Sequence, residues 1–188
     1  AGSMQLQESQ ALWGTEAGQL RVPVDDARFD WQWQEDMFEG VVEMNLGQHS
    51  YLHGQWQLPL AGRVPLQVDA QQPLRATLDV HMEALGALSS IGPWLVQEYD
   101  GELDTMLSLE GTWGQPIFSG TIELSDGSAY LPLAGIQLED MAVQVELEGN
   151  RHHIRNFSVS SGGGELTGSG ELVYDGWRLV GYELTVIG

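Results

Sequence analysis

Pro73-Leu74-Arg75-Ala76-Thr77-Leu78-Asp79-Val80-His81-Met82-Glu83 is the stretch that decides the fold. Leu74, Ala76, Leu78, Val80 and Met82 alternate without a break against Arg75, Thr77, Asp79 and His81. Successive strand side chains point to opposite faces, so this period of two predicts a half-buried strand with one apolar and one polar face.

The same rhythm extends in both directions. Toward the N-terminus, Ala27, Phe29, Trp31 and Trp33 alternate with Arg28, Asp30, Gln32 and Gln34. Val42, Met44 and Leu46 share one side, and beyond a turn near Gly47 come Leu52, Trp56 and Leu58, separated by Gln55 and Gln57. Toward the C-terminus, Leu103, Thr105, Leu107 and Leu109 face away from Glu102, Asp104, Ser108 and Glu110. Ile122 and Leu124 follow, then Met141, Val143, Val145 and Leu147 with Gln144, Glu146 and Glu148 between them. Leu166 and Leu172, and finally Leu184 and Val186, complete the apolar set.

One short helical insertion is predicted near 84–97, where Leu85, Leu88, Ile91 and Trp94-Leu95 fall at steps of three to four; Gly92-Pro93 would split it. Asp126-Gly127, Gly149-Asn150 and Asp175-Gly176 read as hairpin turns. About eleven or twelve strands result, an all-β, up-and-down antiparallel pattern that fits a closed barrel, a sandwich or an open curved sheet. Residues 1–4, Ala1-Gly2-Ser3-Met4, read as the scar of a cleaved tag, and 5–188 as a single β segment of a longer chain, because the last strand runs to Gly188 with no blunting charge.

Composition narrows the function. Seven Lys+Arg against 27 Asp+Glu give a formal charge of −20, which repels phosphate backbones and anionic surfaces and argues against nucleic-acid binding. The absence of cysteine excludes disulfides, thiolate nucleophiles and thiolate metal sites. Carboxylates two apart, Glu102/Asp104 and Glu146/Glu148, share a strand face and read as solvated outer rows, since acid–base pairs are tuned by burial and a partner base. His152 and His153 are adjacent, so a strand sends them to opposite faces and they cannot chelate one ion; His49 and His53 flank Tyr51 in a strand or turn. Gly162-Gly163-Gly164 leads into Glu165-Leu166-Thr167 and not into a helix, which makes it a turn and not a phosphate cradle. Ser158, Ser160, Ser161 and Ser169 lack a nucleophile elbow and a His/Asp context. No catalytic residue, metal or cofactor is expected.

Leu109-Glu110-Gly111-Thr112-Trp113-Gly114-Gln115-Pro116, Gly120-Thr121-Ile122-Glu123-Leu124-Ser125-Asp126-Gly127 and Leu131-Pro132-Leu133-Ala134-Gly135-Ile136 resemble the TamB family of the AsmA-like superfamily. TamB proteins are the inner-membrane-anchored component of the translocation and assembly module. The likeness continues through Leu138-Glu139-Asp140 and Ser161-Gly162-Gly163-Gly164-Glu165-Leu166-Thr167-Gly168-Ser169-Gly170, with Asp79 to Leu95 and Asp100-Gly101-Glu102-Leu103 similar upstream. It covers roughly residues 60–188, and the tryptophan-rich first third only in general pattern. The resemblance implies a half-pipe of strands, or β-taco, with an apolar interior. It also implies a periplasmic location, an N-terminal inner-membrane anchor outside this chain, and a TamA-type outer-membrane barrel protein as partner.

On that reading the apolar residues line a groove for phospholipid acyl chains. Eleven strands stacked about 4.8 Å apart would give a groove on the order of 50 Å long. At about 0.8 kcal/mol per buried CH₂, sheltering a chain of about sixteen carbons recovers on the order of 10 kcal/mol, which offsets much of the cost of leaving a bilayer. Phospholipid transport between inner and outer membranes is the expected function. The alternative is a chaperone that holds outer-membrane or autotransporter strands by β-augmentation.

Overall fold

A computed structural model describes the chain apart from residues 16–17, 35, 48, 61–68, 84 and 86–96; in 8–15, 18–23 and 97–99 it describes the backbone alone. The chain is all-β. Eleven antiparallel strands lie in one open sheet in sequence order: β1 (Gly2–Thr15), β2 (Gly18–Gln34), β3 (Met37–Asn45), β4 (Tyr51–Leu58), β5 (Arg75–Met82), β6 (Gln97–Gly111), β7 (Pro116–Leu131), β8 (Ile136–Gly149), β9 (Arg151–Ser161), β10 (Gly164–Asp175) and β11 (Arg178–Ile187). Neither a barrel nor a second sheet forms among the described residues, and each strand packs extensively only against its sequence neighbours. Gly2, Ser3 and Met4 continue β1 opposite Trp31, Asp30 and Phe29. The predicted helical insertion falls almost wholly on 84 and 86–96, outside the described residues, and Gln97 already belongs to β6.

Gly149-Asn150 and Asp175-Gly176 sit at hairpin turns as expected, with Gly149 and Gly176 in the left-handed region at φ 68° and 60°. Asp126-Gly127 does not. It lies inside β7, and the chain reverses at 132–135, where the Ala134 and Gly135 amides donate to the Leu131 carbonyl at 3.1 and 2.8 Å. Asp126 is instead a bulge: the four residues from Leu124 to Gly127 oppose the three from Val143 to Met141. Asp140 answers it, the four residues from Met141 to Leu138 opposing the three from Gly127 to Ala129, and both aspartates adopt φ 50°. Asp tolerates that conformation better than most side chains because its carboxylate bonds locally. Each extra residue reverses the alternation of its own strand, so the inward set passes from Leu124 and Val143 to Ala129 and Leu138 and stays opposed.

Curvature is visible at the strand ends where β6–β7, β8–β9 and β10–β11 turn. Trp113 in the β6–β7 turn and Trp177 in the β10–β11 turn lie four strands apart in the sheet, roughly 19 Å in a flat one at about 4.8 Å per strand. Their ring centroids are 6.0 Å apart, and Trp177 Nε1 donates to the Trp113 carbonyl at 2.7 Å. The tips therefore fold toward each other. The β6–β7 tip is tied on its other side, the Gly114 amide donating to the Ala70 carbonyl at 2.9 Å.

Large side chains lie flat on the sheet where the neighbouring strand offers glycine. Trp31 lies over Gly2, Trp56 over Gly40 and Phe157 over Gly168; a Cβ at any of them would come within 2.6 Å of a ring atom. Gly40→Val must displace the Trp56 indole, so we expect a loss of about 1–3 kcal/mol by urea unfolding. Gly181→Ala meets nothing nearer than Val173 Cβ at 3.8 Å, and should change stability by no more than about 0.5 kcal/mol.

Candidate functional site: the apolar face

Directly opposed residues of an antiparallel pair share a face, so the register can be followed from strand to strand. One row runs Phe29, Val42, Gly54, Leu78, Leu107, Gly120, Leu147, His152, Leu172, Tyr182. A second runs Leu6, Ala27, Met44, Leu52, Val80, Thr105, Ile122, Val145, Ile154, Gly170, Leu184. To one side lie Trp31, Gly40, Trp56, Ala76, Leu109, Phe118, with Trp33, Phe38 and Leu58 beyond; to the other, Met82, Leu103, Leu124, Val143, Phe157, Gly168, Val186. Leu46 follows β3 and packs on the Val24–Ala27 cluster, and Leu166 opposes Val159. The structure thus places the apolar residues predicted to line the groove on one face, while Leu88, Ile91, Trp94 and Leu95 lie outside the described residues.

No described element lies over that face. Val80, Met82 and Leu147 are buried among their row neighbours, while toward β11 the same rows open, Leu172 half-buried and Leu184, Val186 and Tyr182 50, 55 and 73% exposed. The face is an elongated apolar trough, narrowed where the two tryptophan tips meet.

Phe118, Ile154, Phe157 and His152 belong to these rows and were absent from the apolar residues read in the sequence, and Met82, read in its strand, was not counted among the groove residues. Met82 was legible in the alternation of 74–82. Ile154 and Phe157 were hidden, because Arg155 is a bulge residue: Val145 opposes Ile154 while Gln144 opposes Asn156, which leaves two inward residues three apart.

The opposite face is polar. Arg155 Nε bonds Glu146 at 2.7 Å and holds its carboxyl below the usual carboxylate range. His153, on this face, lies 3.4 Å from Glu171, whereas its neighbour His152 faces the trough. Tyr51, His81, Asp104 and Glu123 form one polar row. A depression of about 560 Å³ spans β2–β5, and most of its lining side chains, among them Asp30, Gln32, Glu39, Gln55, Gln57 and Arg75, belong to polar rows. His49 pairs with Glu83 at 3.1 Å, and the Tyr51 and His53 rings are 4.9 Å apart.

His81, Glu102 and Asp104 bring potential metal-ligand atoms within 4.8 Å of one another, a trio not singled out in the sequence. His81 Nδ1 is 2.7 Å from Asp104 Oδ1, and that hydrogen bond raises the imidazole pKa, with Asp104, Glu102 and Glu83 adding attraction against a smaller desolvation effect. Comparison with known proteins returns no matching family, curated protein or solved structure.

The raised His81 pKa fixes a sign. Its stabilising contribution is complete below the unfolded value of about 6.5 and disappears as pH rises through the folded one. We expect the NMR titration midpoint of the His81 ring above 6.5, and its return toward that value in Asp104→Asn. A midpoint at or below 6.5 in the parent chain would show that the ion pair does not form.

Proposed function

We propose that this chain is a lipid-sheltering segment: its apolar trough takes phospholipid acyl chains while the polar face and the headgroups stay in water. The observation that carries the proposal is the run of apolar rows, continuous across the sheet, over which no described element lies. A soluble protein rarely leaves so long an apolar surface without an occupant. Hydrocarbon suits it, since the rows offer methyl, methylene and ring surface with few hydrogen-bonding groups. The many equivalent positions give no single deep minimum, which favours passage over storage.

The TamB-like motifs between residues 60 and 188 support the same reading and extend it. On this reading the segment works in the periplasm, within a protein anchored in the inner membrane, with a TamA-type barrel protein as partner in moving phospholipid toward the outer membrane. The net charge of −20 agrees with this, because it keeps the polar face from adhering to anionic headgroups.

Photo-crosslinkers at Leu107 and Val145 should capture phospholipid in cells, whereas those at Glu110 and Glu146 should not. Leu107→Ala should be mild, because the neighbouring rows still shelter the chain. Leu107→Asp or Val145→Arg sets an unpaired charge against hydrocarbon at a cost of several kcal/mol, so lipid capture should fall at least about tenfold in protein that remains folded. Gln144→Arg, on the polar face, should leave capture unchanged. Equal labelling of both faces would remove the trough from the mechanism. Unchanged lipid flux with lost outer-membrane protein assembly would put the β-augmenting chaperone in its place.

A further inference from the structure

The two tryptophan tips hold a group that neither the fold nor acyl-chain shelter requires. Beneath their contact lies a cluster of rings on the apolar face. His152 is 4.7 Å from Tyr174 and 5.8 Å from Phe118, and Phe118 is 5.5 Å from Trp177. His152 Nε2 is buried with no hydrogen-bond partner among the described residues. A buried polar atom left unpaired is uncommon and costly, and it marks a place where structure is held under tension.

The surroundings of His152 offer a proton no counter-ion. From β8 it is opposed by Leu147, and from β10 by Leu172 and the phenol of Tyr174; β7 contributes Phe118. The nearby charged groups, Glu146, Glu148, Arg151, His153 and Glu171, occupy rows of the polar face. Burial lowers the His152 pKa, and the charge of His153 adds to the effect.

The contact above the cluster is slight compared with a strand ladder. It consists of the Trp177 hydrogen bond to Trp113, the contact of the two indoles tilted 36° to each other, and the close approach of the turns, where a Cβ on Gly176 would sit 3.0 Å from the Gly114 carbonyl oxygen. The β6–β7 tip is held by Ala70, whereas β11 is paired along β10 alone among the described strands and carries an irregularity at Val180. The β10–β11 tip is anchored through β10, whose Tyr174 amide donates to the Asn150 carbonyl at 2.9 Å, so β11 and its turn are the part paired on one side only.

We propose that the β6–β7 and β10–β11 tips form a strap across the apolar trough, and that the strap opens when His152 takes up a proton. The closed strap keeps Nε2 of the neutral, half-buried imidazole from solvent, and a charged ring needs that N–H to reach water. The stabilising contribution of the neutral ring is complete above the unfolded histidine value and is lost as pH falls through the folded one. Within that window one proton changes the ratio of open to closed forms by up to about tenfold per pH unit. As regulation of the trough this rests on the lipid-sheltering reading; the motion itself does not.

The strap can be followed without lipid by ¹⁹F NMR of 5-fluorotryptophan, with the Trp113 and Trp177 signals assigned by single Trp→Phe variants. Between pH 8 and pH 5 the Trp177 signal should move toward its solvent-exposed position with a midpoint below about 6.5, while far-UV circular dichroism stays unchanged. His152→Leu should remove the transition, and His153→Gln should keep it. A Trp177 signal insensitive to pH, or the same transition in His152→Leu, would overturn the proposal. If His152→Leu misfolds, a second variant decides. The chain has no cysteine, and the two turns approach at Gly114 and Gly176, so Gln115→Cys with Arg178→Cys joined by a thiol-reactive crosslinker cleavable by reductant should abolish the transition, restored on cleavage. A transition unaffected by that bridge would place it elsewhere and also overturn the proposal. Exchange of a fluorescent phospholipid should slow in the bridged form; a pH-driven strap without any lipid binding would retire the lipid-sheltering reading and leave the strap in place.

Discussion

Backbone pairing in register is the constraint on which the rest of this structure depends. A single-layer sheet has no opposing layer to hide a misplaced side chain, and sliding one strand by one residue would exchange its apolar and polar sets. The chain meets this demand strand by strand, and where the spacing of its sequence breaks the alternation, a bulge restores it. Asp126 and Asp140 do so as a matched pair in β7 and β8, and Arg155 does so in β9. These irregularities are what keep Leu124, Val143, Val145, Ile154 and Phe157 on one surface.

Much of this was legible. Wherever alternation is unbroken, as in 74–82 or 103–109, the face of every residue followed from its number. What escaped the sequence has physical causes. Asp126-Gly127 carries the composition of a hairpin turn, yet a bulge asks for the same left-handed residue, and only the pairing partner separates the two. Ile154 and Phe157 are spaced as in a helix because a bulge residue lies between them. The contact of Trp113 with Trp177 spans 64 residues and depends on how far the sheet curls, which no local pattern encodes. The trough as a surface could be read from the chain; its pinch could not.

The two faces also divide the chemistry. Ion pairs such as Arg155 with Glu146 and His81 with Asp104 lie in the polar rows, where solvent screens them and their energetic weight is small. On the apolar face, glycines at 2, 40 and 168 let indole and phenyl rings lie against the sheet instead of standing away from it. Ring area is thereby turned into wall, and the surface is broad and low in relief.

Pairing confined to neighbours makes the chain behave almost as a one-dimensional array. In such arrays stability is close to a sum of local and nearest-neighbour terms, folding can begin at any hairpin, and one end can fray without the other sensing it. The junction of the two tryptophan turns interrupts that independence. It couples β6–β7 to β10–β11 without passing through every intervening ladder, so hydrogen-exchange protection in these two hairpins should rise and fall together. The C-terminal half then acts as one cooperative unit, while β1 to β5 remain a series of separable steps.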